Sequence, residues 1–156
     1  MSDEVSDHFA GLAEPVTVAL LLTQVAAAEP LAAVCSLAGA PADVVASQVG
    51  ALALLRDPAT GQQAAAGVSR LLAGTRVVLF ERRAGAITAS SWTVGTRGDD
   101  VAPGLALAEG PAVLEDLLLG GLPVADVEGV VASTAISRFK ALRLLTKLGR
   151  RPRTGP

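Results

Sequence analysis

Two side chains in this chain could act as a soft ligand or a strong nucleophile, and they stand apart. His8 lies in an acidic N-terminal stretch, and Cys35 lies in an apolar one. With one histidine and one cysteine in 156 residues, neither a His/Cys metal site nor an ordinary nucleophilic triad can be assembled. Carboxylates are the remaining donors. Asp99 and Asp100 are adjacent in a glycine-containing polar segment, and Glu115 and Asp116 are adjacent within a helical pattern. Neighbouring acids of this kind read as solvated surface pairs. No glycine loop has the spacing that cradles a phosphate. The expectation is a protein that is not an enzyme and holds no cofactor and no metal.

Binding chemistry has more to draw on. From Arg138 to the C-terminus there are seven basic residues and no acid, against six basic residues and all fifteen acids in the rest of the chain. On a helix, Lys140, Arg143 and Lys147 fall on one stripe, which Arg150 and Arg151 extend, and this suits an anionic docking site as well as a solvated helix end. Phe139, Leu142 and Leu145 are expected on another face. Trp92 is the sole tryptophan, and large aromatics anchor both cores and binding sites. An apolar pocket lined by Trp92, Leu117, Leu118, Phe139 and Leu142 is the second candidate site.

These residues must be positioned by the elements around them. Thr75 to Arg82 is dense in Val, Leu and Phe, Arg83-Ala84-Gly85 is a turn signal, and Ala86 to Val94 is a second strand pattern, so the stretch reads as a β-hairpin. Helices are expected on both sides: Pro15 to about Val25 or Ala28, Leu31 to Ala38, Pro41 to Leu55, Thr60 to Leu72, Ala112 to Leu119, and a last one capped by Ser133 or Thr134 and ending near Gly149. Gly95 to Asp100 is expected as a polar loop, its Arg97-Gly98-Asp99 triplet as a turn, and Gly104 to Ala108 and Gly129 to Val131 as short strands. The fold class is α+β, a helical N-terminal half packed on a small antiparallel sheet built on the central hairpin, with helices following. Residues 15–149 form one expected domain, between an acidic N-terminus, 1–14, and a basic tail, 150–156.

Hydrophobic residues make up 51% of the chain and aromatics 3%, so the core must be built from Ala, Val and Leu. Arginine outnumbers lysine 11 to 2, and with abundant Ala, Gly and Pro this suggests a GC-rich bacterial source. The lone thiol and the acidic start, without an export pattern, suggest the cytoplasm. No apolar run combines the length and continuity of a membrane span, although the basic C-terminus could touch a membrane surface.

Leu31 to Leu52 also has the spacing of a helix-turn-helix, which would make the hairpin a wing and the protein a transcriptional regulator. The second helix of that motif would carry Asp43 and no base before Arg56, so nucleic acid is a poor partner for it. In its second half, from about Arg76 to Leu148, the chain resembles the sterol carrier protein family through the segments SSWTV, GLALAEG, AVLEDLLLGG, LPVADVEGVV and ISRFKALRLL. That resemblance implies carriage of a lipid or other apolar small molecule. It departs from the family at Ala132-Ser133-Thr134, where the family has a Gly-Asp pair. The residues themselves favour a non-enzymatic binding or adaptor protein acting through an apolar surface, on a protein partner or on a second copy as a homodimer.

Overall fold

The computed structural model describes residues 14–149. Its elements in order are β1 (Val18–Leu22), α1 (Ala28–Leu37), β2 (Ala42–Val45), β3 (Leu52–Leu55), α2 (Gly61–Leu71), β4 (Val77–Arg83), β5 (Ala86–Thr93), β6 (Thr96–Val101), α3 (Pro103–Glu109), α4 (Ala112–Leu118), β7 (Val131–Ala132) and α5 (Arg138–Gly149). The strands form one seven-stranded sheet in the order β6-β5-β4-β1-β3-β2-β7, and every neighbouring pair is antiparallel. The class is mixed α and β, and the sheet is far larger than a single hairpin requires.

The middle strand is β1, not the hairpin. Val-Ala-Leu-Leu-Leu pairs with β4 on one side and β3 on the other, with Leu20 opposite both Phe80 and Leu54. The first helix expected from the sequence is therefore this strand, and the helix expected over Pro41 to Leu55 is the hairpin-like pair β2 and β3. Both errors have one cause. The sheet is covered on both faces, so its central strands are apolar at successive positions and show no alternation. Ala19 and Leu21 point to one face and Leu20 to the other, all without exposed surface. The proposed helix-turn-helix falls with the same correction, because its second helix is not formed.

The opposite misreading occurs at β6. Thr-Arg-Gly-Asp-Asp-Val lacks an apolar face because it is an edge strand with almost every residue exposed, and the expected loop and Arg-Gly-Asp turn are ladder instead. Charges and the register shift against β5 between Ser90 and Trp92 are ordinary guards of an open edge. Gly104 to Ala108, expected as a strand, lies within α3, where Pro103 occupies the first helical turn. Expectation and structure agree on α1, α2, the β4–β5 hairpin, α4 and α5 within two or three residues at most ends.

Two apolar layers flank the sheet. On one face α1, α2 and the buried side of α5 cover Ala19, Leu21, Val44, Ala53, Val77, Leu79 and Trp92. On the other, Leu114, Leu117 and Leu118 of α4 pack on Leu20, Leu52, Val78 and Phe80. Each fully buried large side chain contributes about 1.5–3 kcal/mol relative to exposure. The small residues of α1, Ala32, Ala33 and Cys35, have no exposed surface, which lets the helix lie close to the sheet. A Cβ at Gly50 would run into the Thr23 carbonyl, so the β2–β3 loop can approach the exit of β1 only with glycine there.

Candidate functional site

The last helix presents the candidate surface. Its start is fixed by Ser137, whose Oγ accepts the Lys140 N–H at 3.1 Å, a side-chain cap of the first turn. Neither expected cap, Ser133 or Thr134, holds this position, and Ser133 is used elsewhere: its buried hydroxyl accepts the Ala42 N–H at 2.8 Å and clamps the edge of the sheet. Ser36 of α1 donates to the Ile136 carbonyl at 2.7 Å. Ile136 and Ala141 are buried against α1, with Leu144 and Leu145 half-buried beside them. Helical geometry then turns positions 139, 142 and 143 away from the core.

Phe139 is 71% exposed and Leu142 54% exposed. Arg138, Lys140 and Arg143 are exposed around them, and the Arg143 guanidinium carbon lies 5.9 Å from the Phe139 ring centre, within cation–π range. None of these three cations makes an ion pair among the described residues. The result is one apolar patch framed by free positive charge. The sequence expectation that Phe139 and Leu142 lie apart from the bases is corrected here, while Leu145 does turn inward. Lys147 belongs to the same helix, and Arg150 and Arg151 lie outside the described residues.

The expected five-residue pocket is not assembled. Trp92 is buried on the α2 face of the sheet, with Nε1 donating to Ser90 Oγ at 3.0 Å. Leu117 and Leu118 are buried on the opposite face, and Phe139 and Leu142 point outward. Strand alternation and helix packing, neither readable from the hairpin alone, send these residues in three directions.

Two clefts remain. One, of about 360 Å³, is lined by Gln62, Glu81, Arg83, Thr88, Arg97 and Asp100 among others; its charges pair with each other, Arg97 with Asp100 at 2.7 Å and Arg83 with Glu81 at 3.9 Å. The other, of about 330 Å³, lies on the α4 face, with Leu22, Val78 and Phe80 from the sheet, Leu105 from α3, and Arg76 and Glu109 in its lining. Nothing in the sequence marked this second cleft, because its residues come from β1, β4, β6, α3 and four connecting segments.

Cys35 is buried, and loss of hydration pushes its thiol from the ordinary 9.0 up to about 12, so it stays protonated and inert near neutral pH. No group of three or more His, Cys, Asp or Glu side chains is placed to hold a metal ion among the described residues. No helix among them is long and apolar enough to cross a membrane. No family model, curated protein or solved structure matches the chain.

Proposed function

We propose that this is a non-enzymatic binding protein that docks an acidic protein partner on the outer face of α5. The observation that carries the reading is the exposure of Phe139 and Leu142 amid Arg138, Lys140 and Arg143, cations with no ion-pair partner among the described residues. Apolar side chains at the centre of a patch supply most of the affinity in such contacts, while the surrounding charge steers approach and selects the partner. Two copies placing this face together would bring like charges into register, so a complementary acidic surface suits it better than self-association.

The test compares the wild-type chain with the double variant Phe139→Ser, Leu142→Ser as immobilised bait, with bound proteins identified by mass spectrometry at low and raised salt. The expected result is an acidic protein held by the wild type, released as salt rises, and lost from the variant while its melting temperature is kept. Identical recoveries from both baits would refute the assignment of the face. Light scattering that showed a dimer disrupted by the same variant would replace the acidic partner with a second copy.

A further inference from the structure

The cleft beneath α3 shares no lining residue with the outer face of α5. Its floor is apolar, with Leu22, Val78 and Phe80 contributed by paired strands β1 and β4. Its wall is unusual for a core element: α3 buries none of its residues, and Leu105, which lines the cleft, is 60% exposed. Val49, in the loop between β2 and β3, lines it too and is 49% exposed. Apolar surface that the fold could have covered is thus left open around a concavity. The charged lining differs from that of the neighbouring polar cleft. Arg76, just before β4, and Glu109, the last residue of α3, both line this cavity and both are exposed. Yet neither makes an ion pair, with the other or with any described residue.

We propose that this cleft binds a small zwitterion with an apolar body, in chemical terms a free apolar amino acid. Its carboxylate pairs with the Arg76 guanidinium, its ammonium with the Glu109 carboxylate, and its side chain lies against Leu22, Val78 and Leu105. A simple carboxylate would gain Arg76 and be repelled by Glu109, and a simple amine would meet the reverse. Only a ligand carrying both charges satisfies both walls. Guanidinium offers a forked donor matched to a carboxylate. The volume of about 330 Å³ is ample for a single apolar amino acid and lies at the small end of ligand pockets.

The experiment is a titration of the full chain followed by amide NMR, using leucine, phenylalanine and tryptophan, and then 3-phenylpropanoate and 2-phenylethylamine as single-charge analogues. At least one amino acid is expected to saturate below about 10 mM and to shift the amides of Arg76 to Phe80 and Leu105 to Gly110. Each analogue should bind about tenfold more weakly than phenylalanine. Arg76→Gln should remove the preference for phenylalanine over the amine, and Glu109→Gln the preference over the carboxylate. Both side chains are exposed and free of ion pairs, so neither change should lower the melting temperature. Equal binding of amino acid and analogues, preferences unmoved by the two variants, or no shift at these amides with any of the three amino acids would overturn the proposal. None of these outcomes depends on what docks at α5.

Discussion

Ser133→Ala should destabilise the protein more than its conservative chemistry suggests. The hydroxyl is buried, 1% exposed. It accepts the Ala42 N–H at 2.8 Å and makes a long contact of 3.4 Å to the Ala40 carbonyl. Ala42 has no exposed surface, so water cannot replace the lost acceptor, and a buried amide left unpaired costs about 1–3 kcal/mol. Taking about 2 kcal/mol, a chain of this length should melt about 4–8 °C lower. With a urea slope of about 2 kcal/mol per molar, the midpoint should fall by about 1 M at unchanged slope. Thr134→Ala is the control, because Thr134 is exposed, and such a change should stay within about 0.5 kcal/mol. Urea unfolding followed by far-UV circular dichroism measures both. Hydrogen exchange should also show the Ala42 amide losing protection in the Ser133 variant. If the two variants shift the midpoint equally, or Ser133→Ala moves it by less than about 0.2 M, the clamp contributes nothing and the reasoning fails.

Two further outcomes follow from local strain and from burial. Val94 has φ of 47° in the turn between β5 and β6, followed by Gly95 at 80°, a conformation a β-branched residue adopts at a cost and that Asn-Gly favours; Val94→Asn should raise stability by about 1 kcal/mol, and an unchanged or lower urea midpoint would contradict it. Burial raises the Cys35 thiol from 9.0 to about 12, so on passing pH 9 the unfolded chain loses a proton that the folded chain retains. The stability linked to this thiol is complete below about pH 9 and drains as pH rises towards 12, by up to about 1.4 kcal/mol per pH unit. Urea midpoints between pH 8 and 10.5 should therefore fall more steeply in the wild type than in Cys35→Ala, and parallel curves would show that the thiol is not differentially ionised.

What the sequence by itself determined is local. The β4–β5 hairpin, α1 with Gly39 just beyond its end, α2, α4 and the amphipathic α5 are set by turn residues, breakers and a single buried stripe, signals that survive without knowledge of neighbours. The presence of exposed cations on α5 was legible too, because that helix carries no acid. Tertiary structure alone decided the rest. Whether Val18–Leu22 and Leu52–Leu55 were helix or strand depended on apolar layers contributed by α1, α2 and α4 on both faces, which erase periodicity in the strands between them. Whether the polar residues of β6 formed loop or ladder depended on a free edge of β5 to pair with. Trp92 and Leu117, both apolar and both expected in one pocket, were sent to opposite faces of the sheet, Trp92 by strand alternation in β5 and Leu117 by the packing of α4. The cleft under α3 was invisible for a plainer reason: Leu22, Val49, Arg76 and Glu109 are far apart along the chain, and only the antiparallel pairing of β1 with β4, together with the crossing of α3, places them around one cavity.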